Sequence, residues 1–172
     1  MSTKIRKPTK AQRLAAVKRI LRRSKEEDAE EFTNPVTLQN GLLAVVCPAT
    51  IVILRDPSLW EGETTENTSI DDIISTFRPT DDTKHLTLTE LREHASAAKM
   101  AKSGLGAYFN IKSRHWVDPQ IMLDAAIAIG WTSGEIHFNT GSWAAPYQFG
   151  TELGWAIVMP VRPPEKAQGE RK

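Results

Sequence analysis

Cysteine is almost absent from this chain: Cys47 stands alone. A single thiol excludes an internal disulfide and any cysteine-rich zinc site. It closes the apolar stretch Leu42-Leu43-Ala44-Val45-Val46-Cys47, which reads as a buried, inert thiol, with a reactive one as the alternative. Long hydrophobic runs are missing too, and none approaches the ~18 apolar residues of a membrane span. No apolar segment follows Met1, so a secretory leader is not expected and the cytoplasm is the default compartment. His85, His94, His115 and His137 nowhere show a metal-binding spacing. Gly104 and Gly106 make only a lone Gly-x-Gly, not a phosphate loop, and no Gly-x-Ser-x-Gly elbow is present. His115 near Asp118 could pair as acid and base, but a helix-capping role already accounts for Asp118. The expectation is therefore a non-enzymatic protein, with no catalytic residue, no metal site, no cofactor and no membrane partner.

What the chain does have is charge sorted by position. Its 172 residues are 40% apolar and 25% charged, enough for one domain with a core plus tails, and the formal net charge is only +1. That small sum hides ten cations and no acid within residues 1–25: Lys4, Arg6, Lys7, Lys10, Arg13, Lys18, Arg19, Arg22, Arg23 and Lys25. Five acids follow between Glu26 and Glu31, and residues 32–172 hold twelve basic against sixteen acidic side chains. A polyanion would meet the N-terminal segment first. From Thr9 to Lys25 the pattern is helical, with Leu14, Val17, Ile20 and Leu21 on one stripe and cations round the rest. Such a helix is marginal alone and should firm up on phosphate or by docking its apolar stripe on a partner. Nucleic-acid contact is the first reading of this segment, DNA ahead of RNA. A solvated arm, a targeting peptide, and docking on a membrane surface or a protein stay open.

Downstream the chain alternates strands and helices. Val36 to Leu38 and Leu42 to Cys47 flank Asn40-Gly41, a hairpin signal because both residues tolerate positive φ. Ile51 to Leu54 forms a further apolar strand, and residues 55–68 read as a polar loop holding Trp60. Ser69 with Asp72 opens a short helix over Ile70 to Phe77, and Thr87 with Glu90 caps a second over Leu88 to Lys102. Arg92, Lys99 and Lys102 share roughly one face of that second helix. Ala107 to Ile111 is a strand. Asp118, Pro119 and Gly130 then bracket a helix apolar nearly all round, which must be buried on most sides. Strands over Glu135 to Asn139, Ala145 to Phe149 and Gly154 to Val161 close the domain. Of the five tryptophans, Trp131 and Trp155 read as packing, whereas Trp60 and Trp143 lie in or beside loops and are freer to bind something.

Phe109-Asn110, then Leu123-Asp124-Ala125 in the apolar helix, then Val158-Met159-Pro160-Val161-Arg162 on the last strand form an ordered set. Upstream, Phe77-Arg78-Pro79 precedes Lys84-His85-Leu86 and a helix. In that order these pieces resemble the closing β-α-β-β-β repeat, and the crossing into it, of the bacterial replication sliding clamps. The resemblance implies an α+β fold: a single clamp-like domain over 35–162, with a mostly antiparallel sheet backed by two or three helices. A basic N-terminal helical arm would occupy 1–31 and a polar tail 163–172. It also implies a hydrophobic cleft for a short linear peptide of a protein partner, here Pro146, Ile157, Val158, Met159 and Pro160. Flexible Met beside branched Ile and Val suits an adaptable socket, and a proline after Met159 stops further strand pairing; filling the core is the competing role. Clamp rings need six such domains, so this chain would have to act as a homo-oligomer or as a solitary domain. The helix from Asp118 to Ile129 carries no Lys or Arg, where clamps line their bore with basic helices. The function expected is that of an accessory protein of DNA replication or DNA metabolism. The alternative is a small nucleic-acid-binding or transcription cofactor that reuses the fold without forming a ring.

Overall fold

The computed structural model describes residues 5–27, 29–76, 80–101 and 107–162. It is an α+β fold in which one mixed sheet of eight strands carries helices on both faces. The strands are β1 (Val36–Thr37), β2 (Leu43–Cys47), β3 (Thr50–Leu54), β4 (Thr65–Glu66), β5 (Asp82–Thr87), β8 (Ser133–Phe138), β9 (Tyr147–Thr151) and β10 (Gly154–Val158). A separate hairpin pairs β6 (Phe109–Lys112) with β7 (His115–Val117). The helices are α1 (Lys10–Glu26), α2 (Thr68–Ser75), α3 (Leu88–Ala101) and α4 (Pro119–Ala128). Sheet order is β4-β1-β2-β3-β10-β9-β8-β5, antiparallel throughout except where β1 meets β4.

The centre of the sheet is set by residue choice. β2 and β3 are buried along their whole length, because both faces of the sheet are covered there. Leu43, Val45, Val52, Leu54, Ala156 and Val158 join the larger core under α1, α3 and α4. Ala44, Val46, Ile51, Ile53 and Ile157 point the other way, into a smaller cluster with Ile70 of α2 and the half-buried Phe32. This alternation is the period of two that a pleated strand imposes. Gly154 opens β10 at φ +156°, and a Cβ there would stand 2.0 Å from the Ile53 carbonyl oxygen. Only glycine lets β10 approach β3 that closely.

Helix α1 begins at a capping box: Thr9 accepts from the Gln12 amide, and the Gln12 side chain accepts from the Thr9 amide. Its apolar stripe does find a partner, and that partner is its own domain. Ala16, Val17, Ile20 and Leu21 lie in the larger core, packed on α4 and β2. Ser24 donates to the Val46 carbonyl at 2.6 Å and pins the end of the helix to β2. The segment is thus a docked layer over Lys10–Glu26 rather than a detached arm. Helix α4, capped by Asp118, is buried at every position except the half-buried Gln120. It ends at Gly130 with φ +69°, where Trp131 donates back to Ala126 in a Schellman-type cap.

Several local expectations shift. The N-cap of α2 is Asn67, which accepts from Ser69, and not Ser69 itself. The loop over 55–68 contains a 3-10 turn at Pro57–Leu59 and the short strand β4. Strands β5 and β7 have no counterpart in the sequence pattern read above. Phe77, Arg78, Pro79 and the tail 163–172 lie outside the described residues. No helix among those described is long and apolar enough to cross a membrane.

Candidate functional site

The burial of α1 on one side decides which of its cations remain available. Arg13 is on the buried side, 7% exposed, and its Nε donates to the Ala128 carbonyl at 2.9 Å. Burial lowers its pKa, an effect partly offset by Asp56. Arg13 therefore holds α1 to the end of α4 and offers no surface to a phosphate. Lys7 is exposed and paired with Glu152 at 2.6 Å. Arg6 and Lys10 are exposed near the start of the helix, and Lys4 lies outside the described residues.

The remaining cations of α1 form its outer face. Lys18, Arg22 and Lys25 are exposed, and Arg19 and Arg23 are half-buried toward α4. Arg19 Nε donates to Asp124 Oδ1 at 2.7 Å, and Arg23 Nη2 stands 3.7 Å from Asp124 Oδ2. Asp124 is itself buried and also accepts from Gln120 Nε2 at 3.2 Å. Its carboxylate fixes the two guanidinium groups at the rim of a cleft between α1, α3 and α4. Lys99 of α3 enters the same cleft, which has a volume of about 290 Å³ and is lined by Arg19, Arg22, Arg23, Glu26, Lys99, Gln120 and Asp124. The two basic groups foreseen from sequence, on α1 and on α3, meet here at Lys99. Arg92 is exposed but outside this cleft, and Lys102 lies outside the described residues.

On the other flank of α1 a second depression of about 340 Å³ is lined by Lys18, Leu21, Arg22, Lys25, Thr33 and Trp60. Arg22 borders both depressions, so the cationic face is continuous across the helix. Lys18, Arg22 and Lys25, which make no ion pair among the described residues, can lie against a phosphate backbone.

The residues expected to form a peptide cleft divide. Ile157 and the exposed Met159 line an apolar groove of about 300 Å³ on the sheet face opposite α1. Its other walls come from β2, β3, Phe32 and α2, where Ile73 is 43% exposed. Sequence reasoning missed Phe32, Ile51, Ile70 and Ile73, because the groove is assembled from segments up to 127 positions apart in the chain, Phe32 and Met159 at the extremes. Val158 points into the core under the helices and is fully buried, as strand alternation requires. Pro146 lines a different, more polar depression with Thr76, Asn139 and Ser142. Pro160 is half-buried and outside the groove's lining. Cys47 borders the groove, and burial pushes its thiol pKa up, which holds it as the unreactive thiol.

His115 is buried, with Nδ1 3.0 Å from the Lys112 carbonyl and Nε2 2.9 Å from the Asn139 carbonyl, so both nitrogens are engaged by backbone and not by Asp118. Among the described residues no three His, Cys, Asp or Glu side chains are grouped to hold a metal ion.

No family model matches the chain, and no curated protein does. Among solved structures it is similar to a beta clamp from Helicobacter pylori bound to a DNA ligase peptide. The identity is 11% and the TM-score 0.41, over 70% of this chain and 40% of the clamp. The chain thus spans well under half the length of that clamp, and a likeness so distant assigns neither family nor function.

Proposed function

We propose that this protein is a non-enzymatic accessory factor of DNA replication or DNA metabolism, built on a single clamp-like domain. It would grip nucleic acid along the outer face of α1 and take a partner's short apolar peptide in the groove beside β10. The observation that carries the proposal is the convergence of Arg19, Arg22 and Arg23 of α1 with Lys99 of α3 on one cleft. Among the described residues only Asp124 and Glu26 oppose them there, and Lys18 and Lys25 extend the positive face beyond the cleft. Asp124 sets the guanidinium groups in place before any ligand arrives, so less side-chain freedom is lost on binding. The peptide part of the proposal rests on the groove itself, whose walls are almost wholly apolar.

The test is a binding titration with a short DNA duplex. The wild-type chain should bind with strong salt dependence, and Arg22→Glu combined with Lys99→Glu should weaken binding at least tenfold at low salt. Both positions are exposed, so the fold should survive, and unchanged affinity in this double variant would overturn the nucleic-acid assignment. For the groove, Ile73→Glu places a charge at an exposed wall and should abolish capture of a partner peptide without lowering the melting temperature. Retained capture would remove the groove from the proposal.

A further inference from the structure

We propose that the depression between α1 and Trp60 is a stacking subsite for one unpaired nucleotide, so that the protein prefers single-stranded nucleic acid or strand ends over intact duplex. The inference rests on the nucleic-acid reading of α1 and adds a base-binding element to it.

Three features of the depression point to this ligand. First, its chemistry is two-sided: an indole, Leu21 and Thr33 stand beside the cations Lys18, Arg22 and Lys25. A flat apolar surface next to positive charge matches a base joined to a phosphate. The volume, about 340 Å³, falls in the range of small-ligand sites, roughly 300–1,000 Å³.

Second, the indole is held ready. Trp60 Nε1 donates to the Glu63 carbonyl at 3.0 Å, and the half-buried ring leans on the larger core. Gly62 lies against it so tightly that a Cβ there would come within 2.9 Å of Cε2 and Nε1. Gly62 thus restricts the ring's movement, and Trp60 lines the depression beside α1. A fixed ring pays little entropy when a base stacks on it.

Third, the charges have a direction. Glu61 and Glu63 follow Trp60 in the loop and are exposed, whereas among the described residues every cation of the depression comes from α1. Phosphates are driven toward the helix while the base enters between helix and indole. Arg22, which also borders the cleft with Lys99, then continues the backbone track across α1. A paired base cannot use this subsite, because its faces are covered by neighbours in the duplex stack.

The test compares a fluorescent oligo-dT, an oligo-U of the same length and a duplex of that length, with the full chain at fixed salt. The single strand should bind more tightly than the duplex, and either sugar binding in this way supports the subsite and tells which strand is used. Trp60→Ala should lower single-strand affinity by about 5- to 100-fold while leaving duplex affinity within twofold, and Trp60→Phe should restore most of the loss. A second readout uses the unaltered protein: an oligonucleotide carrying bromouracil, irradiated in the complex, should crosslink to the peptide that contains Trp60. If Trp60→Ala leaves both affinities unchanged, or crosslinks map only to other segments, the subsite is overturned while the α1 interface stands. If neither single strand nor duplex binds the wild-type chain, both fall together.

Discussion

Asp124 shows how one side chain can serve the fold and restrain the site together. It is buried at 1% exposure, whereas the side chains of Arg19 and Arg23 remain 40% and 25% exposed. Removing the carboxylate lets both guanidinium groups turn to water. Removing Arg19 leaves a buried charge with a weaker set of partners. Arg19→Ala should therefore destabilise by about 2–3 kcal/mol and Asp124→Ala by only about 1 kcal/mol, an ordering that urea unfolding would check. A second residue-scale prediction concerns His94, which stacks on Phe109 at 3.8 Å. Burial depresses its pKa, with Lys84 adding to the effect and Glu90 and Glu93 opposing it. The folded state then binds this proton less readily than the unfolded chain. Stability contributed here is complete above the ordinary value of 6.5, falls as pH drops through it, and levels off below the folded pKa. Denaturant midpoints between pH 8 and pH 5 should shift less in His94→Gln than in the wild type. Few of these pairings were legible in advance, because Asp124 meets Arg19 across 105 positions and no spacing rule reaches so far.

At the scale of elements, legibility follows how local the signal is. Capping residues and short-range periodicity marked α1, α3 and α4 to within a residue or two at each boundary, and Asn40-Gly41 marked the hairpin of β1 and β2. Strand β5 escaped because Asp82-Thr83-Lys84-His85 is polar, and it is an edge strand held by pairing with β8 rather than by burial. The docking of α1 also escaped. Its stripe of apolar residues looked thin, but Ala16 and Ser24 complete the buried side without registering as strongly apolar. Two predictions belong here. Ile20→Ala, at 1% exposure under α1, should cost about 2–5 kcal/mol, which a free arm would not show. Gly154→Ala should cost about 3 kcal/mol or more, or prevent folding, because the added carbon meets the Ile53 carbonyl head-on. Circular dichroism melts would check both.

For the whole molecule, a formal charge of +1 describes nothing that a ligand would feel. The cations of α1 and Lys99 occupy one side, and the apolar groove opens on the opposite face of the sheet. With four to six cations meeting phosphates, a plot of log affinity against log salt should have a slope of about −4 to −5 for duplex. A slope near zero would mean that the charged face is a solvated surface. The sequence exposed the segregation of charge along the chain but not its arrangement in space, which arises only when α3 lays Lys99 beside α1. Encirclement of DNA would require several copies of this domain, so light scattering that finds a monomer or dimer would favour a factor that works without a ring.

Because Arg13 and Ser24 bolt the inner side of α1 to α4 and β2 while its outer side carries the cations proposed to meet a ligand, recognition and folding would share one helix. Anything that grips that helix must also brace the scaffold beneath it. Saturating oligonucleotide should slow amide exchange in β2, which lines neither cationic depression, and lesions that loosen α1 from within should masquerade as defects in grip.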